Sequence, residues 1–247
     1  MFNRLSIIIL FIISVSVNYA STAIEGNIGL MGLWPKNEFK NQGVPVGLGL
    51  DFNGLIYPVQ ELGFGINLGM SQYGHSKRSV PFYFSDLVVM TEETKNNILS
   101  GHLFFKLTPF NTKWNVQPYI EGLIGFKNLN TETILYNENE IDDPNTLTDE
   151  REIAASTNAN DTAFSYGYGV GIDVLLTKSF NKNTNQKTSS LFFFLNGRYL
   201  FGGEAQYLKA GDIEFSDPAE GPVTTTFNWN QSTTDLLNIS LGLSLRF

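Results

Sequence analysis

Nucleophilic chemistry in this chain would depend on serine and histidine, because its 247 residues include no cysteine. The histidines are His75 and His102, and His102 has a serine, Ser100, two positions away. Residues two apart on a β-strand share a face, and Glu121 on the next predicted strand could orient the imidazole. An acyl-transfer or deacylation site is one interpretation of these residues. We favour the other, a hydrogen-bond network inside the protein, and predict no catalytic residue.

A segment rich in carboxylates lies between Asn130 and Thr162, where nine acidic side chains face one base, Arg151. Asp142 and Asp143 carry the oxygen ligands that Ca²⁺ prefers, although their spacing lacks the EF-hand pattern and its glycine. A solvated loop is the favoured interpretation, with these two residues as candidate calcium ligands and no other metal or cofactor predicted. The net charge of −8 argues against nucleic acid as a partner, since phosphates would be repelled.

The elements that would position these residues are β-strands, as the last eleven residues show most clearly. From Leu237 to Phe247, apolar residues alternate with polar or small ones. Successive side chains point to opposite faces of a strand, so this segment suits a barrel wall between lipid and a polar lumen. A soluble β-sandwich gives the same alternation. The polar positions here, however, are mostly Gly, Asn and Ser, which is unlike a face exposed to water.

Eight segments alternate with a period of two, and no helical pattern competes with them. Each is close to the roughly nine to eleven residues that a tilted strand needs to cross the hydrocarbon of a bilayer. They are Glu25–Trp34, Val44–Phe52, Glu61–Tyr73, Ile98–Thr108, Pro118–Leu129, Ala163–Leu176, Leu191–Phe201 and Leu237–Phe247. The predicted fold class is all-β: a transmembrane, antiparallel, up-and-down β-barrel of eight strands.

The first 23 residues have the pattern of a secretory signal peptide. Arg4 precedes an apolar run from Ile7 to Ile13, and Ser21–Ala23 offers a cleavage site. The run is too short to span a bilayer as a helix, although an uncleaved anchor helix is the alternative. We therefore predict a signal peptide over 1–23 and one barrel domain over 24–247, exported without disulfide bonds.

The connections between the predicted strands alternate in length, as expected when an even strand count brings both chain ends to the periplasmic side. The set assigned to the periplasm is Asn53–Gln60, Pro109–Val116 and Lys178–Ser189. The set assigned to long extracellular loops is Pro35–Gly43, Gly74–Asn97, Asn130–Thr162 and Gly202–Ser232. Strand-like stretches at Ser79–Met90 and Gln206–Trp229 would either continue hairpins above the membrane or raise the strand count to ten.

The inward faces of the predicted strands combine glycine with charges of both signs. In a narrow barrel unpaired charges would be costly, so a near balance favours a paired network that fills the lumen over an open channel. The predicted network consists of Glu25, Asp51, His102, Lys106, Glu121, Asp173, Arg198 and Arg246.

Aromatic residues near the predicted strand ends fit the girdle where rings meet lipid headgroups. These residues are Trp34, Tyr73, Tyr119, Tyr199 and Phe201. In the last long loop, Phe227 and Trp229 offer a surface on which a sugar could stack, although ordinary loop packing is favoured for them.

The predicted mature chain resembles the small outer-membrane β-barrel proteins of Gram-negative bacteria, the OmpA-transmembrane and OmpX-like barrel families. The resemblance rests on the signal peptide, the eight segments, the opening Gln117–Gly122 of the fifth and the ending Leu241–Phe247. That ending is similar to the signal read by the barrel-insertion machinery, with Gly242, Leu245 and Phe247 as its residues. The resemblance implies an outer-membrane location. It also implies outer-membrane lipid, lipopolysaccharide and, during biogenesis, the insertion machinery as partners.

The resemblance does not specify an activity, because such barrels include adhesins, lipid-modifying enzymes, inhibitors and structural anchors. We expect a structural or surface-interaction role carried by the extracellular loops, toward a ligand that the sequence does not identify, and no enzyme activity. A narrow porin-like channel for small solutes is the first alternative. A lipid-modifying enzyme is the second.

Overall fold

The computed structural model describes residues 23–82, 85–109, 115–137, 152–180, 187–209, 211–215 and 225–247. The predicted signal peptide, apart from Ala23, lies outside the described residues, as do the candidate calcium ligands Asp142 and Asp143. Among the residues that are described, no helix is long and apolar enough to cross a membrane.

Antiparallel β-strands form almost all of the described structure. The long strands are β1 (Ala23–Pro35), β2 (Gly47–Val59), β3 (Leu62–Phe82), β4 (Ser85–Leu107), β5 (Val116–Asn137), β6 (Glu152–Phe180), β7 (Lys187–Gly202) and β12 (Leu236–Arg246). Between β7 and β12 lie the short strands β8 (Glu204–Tyr207), β9 (Ile213–Phe215), β10 (Thr225–Phe227) and β11 (Asn230–Thr233). One short helix, α1 (Asn37–Asn41), connects β1 to β2.

The eight long strands close into a barrel, because β1 pairs with β2 on one side and with β12 on the other. The predicted all-β class, the eight strands and the up-and-down order are therefore confirmed. The ten-strand alternative is wrong, since β8 pairs with β11 and β9 with β10 in two separate sheets outside the barrel wall.

An apolar belt surrounds the barrel, and every long strand contributes to it. Its exposed members include Leu30, Leu50, Ile66, Leu103, Ile124, Val170, Leu195 and Leu241. They fall on the face that the alternation predicts to be outward, and Leu30 and Val170 are 64% and 61% exposed. A soluble monomer does not expose a continuous apolar surface of this extent, whereas a bilayer is the solvent that suits it.

Several strands are longer than the sequence pattern predicts, so some predicted connections are wrong. The predicted turn Asn53–Gln60 is mostly strand, since β2 continues to Val59 and its inward and outward alternation persists through Leu55 and Ile56. Gly74–Asn97 is mostly a continued hairpin of β3 and β4, as the strand-like stretch Ser79–Met90 suggested. Polar side chains on both faces mask a strand of this kind from a search for amphipathic alternation.

The seam between β1 and β12 brings together the two ends of the described chain. Gly29 lies opposite Gly242, and a Cβ on Gly242 would collide with the carbonyl oxygen of Ile28. Glycine is thus required for the close approach of the two strands. Leu245 and Phe247 lie at the end of the same strand, exposed on the outside. The role of Gly242, Leu245 and Phe247 in insertion stays a prediction.

Candidate functional site: the lumen and the outer hairpins

A first charged cluster fills the lumen at the end where the described part of the chain begins and finishes, at Ala23 and Phe247, and we call this end the terminal end. Lys106 Nζ lies 3.0 Å from Glu25 Oε1 and 2.7 Å from Asp173 Oδ2. Arg246 donates from Nε to Glu25 Oε2 at 2.7 Å, and the Tyr57 hydroxyl donates to the same oxygen at 2.8 Å. Two cations and two carboxylates, all buried, therefore neutralise one another across four different strands.

A second cluster lies deeper in the barrel and is centred on Arg198, which is 2% exposed. Its guanidinium donates from Nε to Glu121 Oε2 at 2.7 Å and from Nη1 to Asp51 Oδ2 at 3.0 Å. Asn53 Oδ1 accepts from Nη2 at 3.1 Å, and Asn67 Nδ2 donates to Asp51 at 2.5 Å. Since Arg198 of β7 binds Asp51 and Asn53 of β2 and Glu121 of β5, it joins three strands across the lumen.

His102 lies toward the other end of the lumen but does not join the predicted group with Ser100 and Glu121. Its Nε2 lies 3.0 Å from the hydroxyl of Ser165. The Ser100 hydroxyl donates instead to the backbone oxygen of Gly69, and Glu121 is held by Arg198. The interpretation of Ser100, His102 and Glu121 as an acyl-transfer site therefore has no geometric support, because each residue is engaged elsewhere.

Lys127 is a buried basic side chain that the predicted network does not include. It is fully enclosed, and its amino group donates to the backbone oxygen of Thr234. With Lys127 included, four buried basic side chains of the barrel strands are described, the other three being Lys106, Arg198 and Arg246. The signal was present in the sequence, since Lys127 follows Glu121 at an even spacing on β5 and so shares its inward face.

A lid with an apolar core covers the end of the barrel opposite the terminal end, and we call the covered end the loop end. We use the word lid for α1 together with β8, β11 and residues 208–209. Phe39 of α1 is fully buried, and its ring centroid lies 5.1 Å from that of Tyr207 and 6.1 Å from that of Tyr73. The backbone oxygen of Leu208 accepts hydrogen bonds from Tyr73 and Asn96. The lid thus plugs the mouth of the lumen with side chains from both the loop and the wall.

The predicted aromatic girdle is correct for some residues and wrong for two. Tyr199 and Phe201 lie on the outer face, where they stack with Tyr166 and Tyr168 of β6. Tyr73 and Tyr119 are each 3% exposed and point into the lumen instead. Tyr119 lies under Lys106, with the ammonium 4.0 Å from the ring centroid, so a cation-π contact takes the place of a headgroup contact.

Beyond the belt, the β3–β4 hairpin carries its own ion pairs. Glu93 Oε1 lies 2.6 Å from His75 Nε2 and 3.5 Å from Lys77 Nζ, and Lys95 Nζ lies 3.5 Å from Glu93 Oε2. Burial acts to raise the pKa of the Glu93 carboxyl, but the hydrogen bond with His75 and the nearby positive charges outweigh it and hold that pKa below its usual range. His75 therefore has a structural partner in Glu93.

We expect this outer part of the hairpin to loosen in acid. The pKa of Glu93 is lower in the folded hairpin than in an unfolded one, so the ionised carboxyl stabilises the hairpin fully above the unfolded pKa. That contribution is lost as the pH falls through the folded pKa. Amide hydrogen-exchange protection factors at Ser76 and Lys77 should fall accordingly. In Glu93→Gln they should already be low near neutral pH, and Glu204→Gln, at an exposed carboxyl, should behave as wild type. Wild-type protection that stays constant down to strongly acid pH would contradict this.

No group of three or more metal-ligating side chains that could hold an ion occurs in the described ranges. The two candidate calcium ligands fall outside those ranges, so calcium binding by Asp142 and Asp143 stays a prediction.

Comparisons with known proteins give low similarities. No family model matches the sequence, and no curated protein matches it. Among solved structures, Neisserial surface protein A aligns with 92% of this chain and 96% of its own, at 10% identity and a TM-score of 0.38. Ail, the attachment invasion locus protein of Yersinia pestis, aligns with 92% of this chain and 100% of its own, at 12% identity and a TM-score of 0.39. The N-terminal β-barrel domain of Pseudomonas aeruginosa OprF aligns with 92% of this chain and 97% of its own, at 10% identity and a TM-score of 0.34.

Similarities at this level are too low to carry a function from any of these proteins to this chain. The fold is established by the strand pairing, the outer belt and the inner charges of the chain itself. It is a closed, eight-stranded, antiparallel β-barrel with a filled interior, the architecture of the small outer-membrane β-barrel proteins.

Proposed function

We propose that this protein is a closed outer-membrane barrel whose outer hairpins carry a surface-interaction role. The observation that carries the proposal is the length of the paired hairpins above the belt. Strands β3 to β6 remain hydrogen-bonded in one continuous sheet from the belt up to Phe82, Ser85, Asn137 and Glu152. About ten residues per strand at ~3.3 Å each give a wall on the order of 30 Å high.

Such a wall is more than is needed to connect strands, since two residues are enough to connect β2 to β3 at the opposite end. Nearest the belt, from His75 to Ser79 on β3 and from Thr91 to Asn97 on β4, it presents polar side chains on a hydrogen-bonded sheet, and polar surfaces positioned by a scaffold are a usual site of binding. With an even number of strands and both termini in the periplasm, the wall would face the medium. The belt would then contact outer-membrane lipid and lipopolysaccharide, and the ending Gly242, Leu245 and Phe247 would be read by the insertion machinery.

The filled lumen supports a non-conducting barrel. Two charged clusters and the apolar lid lie in series along the axis, so a solute would have to displace each of them. The pore alternative is tested by conductance of the purified protein in planar bilayers, where we expect no steady current. A stable, ion-selective open state would overturn the closed-barrel part of the proposal.

Orientation is tested by labelling single cysteines on intact cells, because the chain has none of its own. Ser79→Cys lies on the β3–β4 hairpin, and Gln60→Cys lies in the β2–β3 turn at the other end; both positions are exposed. A membrane-impermeant maleimide should modify Ser79→Cys on intact cells, and Gln60→Cys only after the outer membrane is permeabilised. The reverse pattern, or equal labelling of both before permeabilisation, would overturn the proposed orientation.

A further inference from the structure

One groove in the loop-end region has features that neither the closed lumen nor the wall explains. Strand β6 pairs with β7 only as far as Ser165 and Gly202. Above that point, within the described part of the chain, its free edge is approached by β8, where the Gln206 backbone N–H donates to Asp161 Oδ2 at 2.8 Å. The resulting groove, of about 320 Å³, is lined by Thr157, Asn158, Ala159, Asn160, Asp161, Gln206 and Trp229.

Trp229 forms one side of the groove as a flat apolar surface in a polar surrounding. Its side chain is 51% exposed, and its ring lies 6.1 Å from that of Phe227 at an angle of 43°. The segment is held in place because the Asn228 backbone N–H donates to the Asp212 oxygen at 2.8 Å and the Asn230 amide bonds the Asp212 carboxylate. The indole is therefore positioned by its neighbours while much of its surface stays in contact with water.

Two amide side chains on β6 give the groove both a donor and an acceptor. Asn158 donates its nitrogen to Thr133 Oγ1 at 2.6 Å, which leaves its oxygen to accept. Asn160 accepts at its oxygen from Asn128 at 2.6 Å, which leaves its nitrogen to donate. Because the remaining polar groups are of both kinds, the groove matches a ligand whose own groups both donate and accept, as hydroxyls do.

The charge of the groove and its small size limit the class of ligand further. The lining contains one carboxylate, Asp161, and neither lysine nor arginine, so sulfated or phosphorylated groups would be repelled rather than bound. Seven residues are also far fewer than the ~20–30 per partner of a stable protein–protein interface. A small neutral ligand with one apolar face and a rim of hydroxyls fits these limits.

The height of the groove separates it from the aromatic girdle of the membrane. The lining residues Asp161 to Thr157 lie four to eight positions along β6 from Ser165, where the pairing with β7 ends, which is about 13–26 Å of strand. The groove therefore begins beyond the outward rings of Tyr166 and Tyr168, which lie on the belt side of Ser165.

We propose that this groove binds a neutral saccharide, with one face of a sugar ring stacked on the Trp229 indole. The C–H face of a pyranose meets the ring, and its hydroxyls bond Asn158, Asn160 and the free backbone edge of β6. The inference rests on the proposed function, since the groove must face the medium. It goes beyond that function by naming the class of ligand.

The test uses the full mature chain refolded in a zwitterionic detergent that has no sugar headgroup. Maltohexaose, cellohexaose and chitotriose serve as neutral probes, and dextran sulfate serves as the anionic one, each titrated by calorimetry. We expect at least one neutral probe to bind saturably. Trp229→Ala should weaken that binding by about tenfold or more, as for a central aromatic contact. Asn160→Ala should weaken it less, and Trp34→Ala, at a tryptophan on the barrel wall, should leave it unchanged.

Each other result overturns the inference. These results are no saturable binding by any neutral probe, binding by dextran sulfate alone, and neutral binding that survives Trp229→Ala. Heat-modifiable gel mobility of each variant shows that the barrel is folded. The cysteine labelling on intact cells is independent of sugar, so wild-type orientation with no saccharide binding removes this inference and leaves the proposed function standing.

Discussion

Arg198→Ala is expected to destabilise the barrel by about 3–5 kcal/mol, because it leaves the buried carboxylates of Asp51 and Glu121 without their cation. Both carboxylates bond the guanidinium directly, and the arginine is 2% exposed, so water cannot replace it without opening the lumen. Equilibrium unfolding in urea, followed by tryptophan fluorescence in lipid vesicles, measures the loss.

The matched control removes the charges together. In Arg198→Met combined with Asp51→Asn and Glu121→Gln, no charge of the second cluster is left unpaired, and replacing a complete buried ion pair is often close to neutral. Most of the lost stability should therefore return. A triple variant as unstable as the single one would show that the arginine acts through its packing, for instance over the Phe104 ring, rather than through its charge.

Phe39→Ala is expected to release the lid while leaving the barrel folded. The ring is fully buried between Tyr73 and Tyr207, and removing a buried phenylalanine costs about 3–5 kcal/mol of the structure it supports. That structure is the lid alone, so the loss should appear as faster hydrogen exchange in α1, β8 and β11, with the wall strands unchanged.

Conductance should stay at zero in Phe39→Ala, because both charged clusters remain below the lid. Phe227→Ala, at a partly exposed ring outside the lid, is the control. It should change the opening free energy of the lid, measured by hydrogen exchange, by no more than ~0.5 kcal/mol. A steady current through Phe39→Ala would mean that the lid is the only barrier to ion flow. Hydrogen exchange in this variant that is no faster in the lid than in the barrel strands would contradict the separate stability of the lid.

The wall of the barrel follows from the sequence because alternation is a local property. In Leu48–Phe52 or Ala163–Leu176, each residue's face is fixed by its neighbours two positions away, and lipid on one side makes the pattern strict. The predicted start at Val44 is wrong, since β2 begins at Gly47 and Val44 is buried. The facing charges of Glu25, Lys106 and Arg246 follow in the same way, since inward parity puts them in one lumen even before the register is known.

The lid could not be predicted in this way. Phe39 lies in a five-residue helix within a segment expected to be a loop, and its partners Tyr73 and Tyr207 come from distant parts of the chain. Nothing in the local pattern at any of the three indicates that they meet. Tyr119 differs, because it lies two positions from Glu121 and therefore shares its inward face. Its position near a strand end suggested a girdle, but the alternation of the strand determines that its ring points inward.

The join between the first and last strands has a consequence for the order in which this molecule can be made. Glu25 and Arg246, which bond each other, are 221 positions apart, so the contact is of very long range in the sequence and is expected to form late. Until the final strand pairs with the first, the incomplete sheet has two unpaired edge strands, and its inward charged side chains are exposed to water. Barrel assembly should therefore be slow and prone to aggregation, and a chaperone that binds the incomplete barrel would protect it until the sheet closes.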